Sequence, residues 1–151
     1  MPVAAYIKLN LLKIVELMVP EILIVEDDTE ESQQLEEIFK ESGYHRIQSF
    51  DNAFTFISYL NQNETSLPKV VILDYQMPKI TGFQLLAFLK RNPKFNTIKV
   101  ILYSGFDSSD YKSTCLRAGA TDYVKKLSTY GELKEFALKV RDLAETGTYN
   151  R

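Results

Sequence analysis

Ile22-Leu23-Ile24-Val25-Glu26-Asp27-Asp28 is a short apolar run that ends in three consecutive acids. Four aliphatic residues with no polar alternation describe a strand covered on both faces, as in a parallel sheet. The same pattern returns in Val70-Val71-Ile72-Leu73-Asp74 and in Val100-Ile101-Leu102-Tyr103-Ser104. Between and after these runs lie helical patterns. Leu35, Ile38 and Phe39 recur at i, i+3, i+4 in a helix expected from about Thr29 to Ser42, closed by Gly43. Asp51 is placed to cap a helix carrying Phe54, Ile57 and Leu60. Leu85, Leu86 and Leu89 mark a helix over Gly82 to Arg91. A short helix near Ser108 to Ala118 follows, closed by Gly119. The last helix aligns Leu133, Phe136, Ala137, Val140, Leu143 and Ala144 on one stripe.

With the more polar run Arg46 to Phe50 and the brief run at Tyr123–Val124, the chain reads as βα units in series from Glu21 to Glu145. Parallel strands joined by helical crossovers build a three-layer, doubly wound α/β sheet with helices on both faces. Residues 146–151 read as a short tail. Residues 1–20 stand outside this scheme. Ala4, Ile7, Leu11, Ile14, Val15 and Met18 would share one helix face, while Tyr6 to Leu11 also alternates like a strand. The stretch is either a docking or dimerising helix or lies upstream of a natural start at Met18, and a homodimer is compatible with the first reading.

Composition narrows the function. The chain has 151 residues, one domain's worth, with 18 Lys+Arg against 20 Asp+Glu and a net charge of −2. No cationic field points to nucleic acid. A single cysteine, Cys115, excludes an internal disulfide and a cysteine zinc cage, and it is expected in the core. A single histidine, His45, excludes paired-histidine metal motifs and is expected in a loop. No apolar run reaches the length of a membrane span. The expectation is a cytoplasmic globular domain without a secretory signal.

In a doubly wound sheet, ligands gather at the C-terminal edge of the strands. Asp28 is explained as a helix N-cap with Glu31 three residues on, and Glu30 suits the first turn. Glu26 and Asp27 precede the cap and remain unexplained; Asp74 has no helix start beside it. Carboxylates converging at one edge call for a cation, and an all-oxygen site suits Mg²⁺. Ser104 ends the fourth strand and Lys126 follows the fifth, at the same edge. A carboxylate nucleophile, a metal, a hydroxyl and an ammonium together make a phosphoryl-transfer site.

Three further stretches complete the pattern: Val71-Ile72-Leu73-Asp74-Tyr75-Gln76-Met77-Pro78 with Gly82, Ser104-Gly105, and Gly119-Ala120-Thr121-Asp122-Tyr123-Val124-Lys125-Lys126. With the opening acids, this set resembles a bacterial response-regulator receiver domain over about Glu21 to Glu145. The resemblance implies a flavodoxin-like fold with strand order 2-1-3-4-5. It implies that Asp74 is the phosphoacceptor, supplied by a sensor histidine kinase or histidine phosphotransfer protein. It also implies Asp27 as direct Mg²⁺ ligand, Glu26 acting through metal-bound water, and Gln76 offering a backbone carbonyl. Lys126 would pair with the phosphoryl oxygens, Ser104 would be the switch hydroxyl, and Tyr123 the aromatic that follows it. Output would pass through the surface of the Ser108–Ala118 helix, the fifth strand and the last helix, to a downstream protein. The chain would be a signalling phosphoacceptor, with slow autodephosphorylation its only hydrolytic activity.

One departure concerns the loop after Lys126. The family carries a cis proline there, and this chain has Leu127. A non-proline cis bond costs about 3–4 kcal/mol, which leaves the isomer and the reach of Lys126 open. Phe106, two residues past Ser104, would hinder water at a phosphoaspartate, while Gln76 could orient one. Rival readings are an aspartate-nucleophile phosphatase, a flavodoxin-like carrier and a pseudo-receiver that is never phosphorylated. The first lacks an acid at Gln76, the second a hydroxyl- and glycine-rich loop after the first strand. The third usually loses an acid or the lysine, and both are kept here.

Overall fold

The continuous Val/Ile/Leu runs form the centre of a parallel sheet because neither face of those strands meets water. In the computed structural model, which describes residues 1–18 and 21–151, the strands are β1 (Ile22–Val25), β2 (Ile47–Phe50), β3 (Val70–Asp74), β4 (Lys99–Ser104) and β5 (Asp122–Lys125). Their order is β2-β1-β3-β4-β5, all neighbours parallel, as the resemblance implies. β1 and β3 are buried at every position.

Alternation sends successive side chains to opposite faces. Leu23, Val25, Val71, Leu73, Val100 and Leu102 point to one layer, where α3 (Ala53–Gln62), α4 (Gly82–Arg91) and α5 (Ser109–Arg117) bring Phe56, Leu60, Leu85, Leu86, Leu89 and Cys115. Ile22, Ile24, Val70, Ile72, Ile101 and Tyr103 face α2 (Thr29–Glu41) and α6 (Tyr130–Thr146), which supply Leu35, Phe39, Phe136 and Val140. Cys115 is fully buried, as a small core residue.

Local chemistry sets the helix ends, with one correction. Asn52, not Asp51, caps α3: its side-chain oxygen accepts from Thr55 N at 2.9 Å, and its amide nitrogen donates to Asp51. Asp51 is thereby a support for the cap. α6 ends on Gly147, whose positive φ of 75° suits glycine. The segment beyond it folds back. Tyr149 packs against the α2/α6 core, and its hydroxyl donates to the buried Asp122 Oδ2 at 2.8 Å.

Residues Val3–Met18 form a helix, α1, and not the alternative strand. Ile7, Leu11 and Ile14 of the expected stripe are exposed; the side chains of Val15 and Met18 lie outside the description. Among the described residues, no helix is long and apolar enough to cross a membrane.

Candidate functional site at the carboxyl edge of the sheet

Parallel pairing in register carries the ends of β1 and β3 to one place, with Val25 beside Leu73. Glu26, Asp27 and Asp74 therefore meet there: one carboxylate oxygen from each lies within 4.8 Å of the others. Glu26 and Asp74 are buried and Asp27 is exposed. Asp28 opens α2 as expected, its carboxylate accepting from Glu30 N and Glu31 N. Its own N–H goes to Glu26 Oε1 at 3.1 Å, so Glu26 takes the reciprocal capping position expected of Glu31.

Burial of the acids governs their protonation. Glu26 is pushed up to about 8, chiefly by loss of water, against the opposing pull of Lys126. Asp74 is raised for the same reason, while Lys126 works against the shift. Among the described residues, Lys126 sits among three carboxylates: Glu26 Oε2 at 3.0 Å, Asp74 Oδ1 at 3.5 Å, and Glu31 in direct contact. Burial would lower its pKa; hydrogen bonds to Glu31 and Glu26 outweigh this and raise it.

The Lys126–Leu127 peptide is trans. Two hydrogen bonds hold the backbone around it: Lys126 N–H donates to Ser104 O, and Leu127 N–H to the Tyr103 hydroxyl, at 2.6 and 3.0 Å. Lys126 reaches the acids without a cis bond.

Gln76 is exposed, and its N–H donates to Asp74 Oδ1 at 3.3 Å. The loop after β3 returns closely on itself. Gly82 N–H donates to Tyr75 O at 2.8 Å, and a Cβ on Gly82 would stand 2.2 Å from the Asp74 carbonyl oxygen.

Ser104 is completely buried at the end of β4, where its Oγ accepts from Phe106 N. Tyr123 is also buried, and its hydroxyl donates to Phe106 O at 3.0 Å. It meets Tyr75 edge-on, and Tyr75 stacks on Tyr111 of α5 with centroids 4.9 Å apart. The Phe106 side chain is half exposed.

Sequence reasoning missed two participants. Glu31 was already explained as part of a helix cap, although several acids around one lysine at this edge were a signal that more than two would pair with it. Tyr75 appears in the sequence pattern with no role of its own; its place directly after Asp74 is the available signal.

The carboxylates are all-oxygen donors, two of them buried, so they fit a hard divalent cation. The family model for the response regulator receiver domain matches residues 22–137. The chain belongs to that family, the receivers of two-component systems, which take phosphoryl groups from histidine kinases. Similar proteins include the two-component response regulator ARR6 of Arabidopsis thaliana, 26% identical over 136 residues, covering 83% of this chain and 73% of the relative. An uncharacterized 14.6 kDa protein of Leptolyngbya boryana is 29% identical over 106 residues, covering 70% and 78%. Among solved structures, the Mn(2+)-bound form of response regulator Rcp1 superposes with a TM-score of 0.73 at 25% identity, covering 87% of this chain and 99% of the other.

Proposed function

We propose that this chain is a phosphorylation-controlled response regulator in which Asp74 is the acceptor. The observation that carries the reading is the meeting of a buried strand-end carboxylate with Lys126 and two further acids at one sheet edge. An Asp74 oxygen attacks the phosphorus of a phosphohistidine, the P–N bond breaks with its electron pair going to the imidazole, and an acyl phosphate results. Asp27, Asp74 and a Gln76 main-chain carbonyl would hold Mg²⁺, with Glu26 supporting it through water. Bound there, the ion would neutralise charge on the transferring group. Lys126 supplies the protein's own positive charge to the phosphoryl oxygens.

Ser104 and Tyr123 serve as the switch. A phosphoryl group adds about −1.5 to −2 charge and strong acceptor oxygens, and the Ser104 hydroxyl turns toward them. Phe106 N–H then loses its acceptor, the loop moves, and the bond to Tyr123 moves with it. The changed surface is that of α5, β5 and α6, where a downstream protein docks. Residues 21–145 form the receiver unit, with α1 as an extension before it.

Incubation with acetyl phosphate and Mg²⁺ tests the assignment. A hydroxylamine-sensitive label on the wild type and none on Asp74→Asn is the expected result; equal labelling of both places the acceptor elsewhere.

A further inference from the structure

Among the described residues, Glu31 is the one carboxylate paired with Lys126 that has no part in the proposed metal and acceptor roles. It enters from the first turn of α2, with its side chain 39% exposed, and contacts the same Lys126 ammonium as two buried acids. An ammonium offers three N–H donors. Glu26, Glu31 and Asp74 stand as three acceptors around them. A phosphoryl group on Asp74 needs at least one of those donors. Glu26 lies deep behind the site and is only 3% exposed at its side chain. Glu31 is the partner with room to leave.

Glu31 is not required to position Lys126. The backbone on both sides of the lysine is already tied, by Lys126 N–H to Ser104 O and by Leu127 N–H to Tyr103. What Glu31 contributes is negative charge and occupancy of a donor. Both oppose an incoming dianion, since an existing ion pair must be exchanged and a like charge stays nearby.

We infer that Glu31 is a tethered competitor for Lys126, which holds the lysine in the unphosphorylated protein and is displaced when a phosphoryl group occupies Asp74. It acts only through Lys126, by charge and by occupying a donor, and it sets how tightly the site holds the modified state. The inference rests on the reading of Asp74 as acceptor.

Beryllofluoride, which mimics the phosphoryl group, tests it by NMR titration of the full chain at saturating Mg²⁺. Glu31→Ala is expected to bind about fivefold more tightly than wild type, the scale of a half-exposed ion pair. Glu31→Gln, which keeps a side chain of the same shape, should move in the same direction. Glu30→Ala removes the same charge from the same helix turn and should leave the affinity unchanged. A helix-capping role alone would change stability in these variants and not anion affinity. Unchanged or weaker binding in Glu31→Ala overturns the inference, as does an equal gain in Glu30→Ala, which would make the effect one of general field. Absence of any wild-type response overturns the acceptor reading itself, and the competitor role with it. A wild-type response with no gain in Glu31→Ala removes only the competitor.

Discussion

Ser104 and Tyr123 are joined through the two polar groups of one residue: Phe106 donates its N–H to Ser104 Oγ, and its carbonyl oxygen accepts from the Tyr123 hydroxyl. Neither side chain can change its hydrogen bond without altering the loop that the other holds. Ser104→Ala is therefore expected to accept phosphate at Asp74 while losing much of the response around Tyr123. Amide shifts on beryllofluoride addition give the measure; a full wild-type pattern around Tyr123 in the variant refutes the coupling. The two conformers must lie within a few kcal/mol for a ligand to exchange them.

Gly82 carries a steric prediction independent of phosphorylation. A methyl group there meets the Asp74 carbonyl at 2.2 Å and the Tyr75 Cα at 2.8 Å, both backbone atoms that cannot rotate aside. Gly82→Ala should cost about 3 kcal/mol, read as a lower urea midpoint. The same variant should disturb the loop that follows Asp74.

Metal binding should depend on pH through Glu26. Burial pushes the Glu26 carboxyl up to about 8, against the pull of Lys126, which favours proton uptake near neutral pH in the metal-free fold. A divalent cation favours the ionised form, so binding releases that proton. Apparent Mg²⁺ affinity should rise with pH toward about 8 and level off above it. Glu26→Gln should flatten this dependence. Asp27→Ala should weaken binding about tenfold or more at any pH, since even loss of a supporting group has effects of that order. Calorimetric titration in buffers of different ionisation enthalpy reads both the affinity and the released proton.

Tyr149 anchors the chain beyond α6. Removing its hydroxyl in Tyr149→Phe deprives buried Asp122 Oδ2 of a donor and should cost about 1 kcal/mol in denaturant unfolding. Phosphorylation of Asp74 should be unaffected, because Asp122 opens β5 at the opposite end from Lys126.

Much of this molecule is legible in its sequence. The unbroken apolar runs of β1, β3 and β4 declared a buried parallel sheet, and the acids ending two of them declared its working edge. The strand order came through the family resemblance, since periodicity carries no information on which strands are neighbours. Three features escaped for physical reasons. Glu31 satisfied a local rule, the helix cap, that hid its long-range partner. Asp51 and Asn52 are both good caps, and only backbone geometry chooses between adjacent ones. Tyr149 lies in a segment with no periodicity, where one hydrogen bond to a buried acid decides the path.

The stack of Tyr75 on Tyr111 has a practical consequence. The chain contains nine tyrosines and no tryptophan. Its near-ultraviolet circular dichroism and emission are therefore free of indole. A close ring pair beginning one residue after Asp74 and ending on α5 gives the loop after β3 a built-in optical reporter. Changes at Asp74 can be followed in the unlabelled protein, and Tyr111→Leu would identify the part of the signal that comes from the pair.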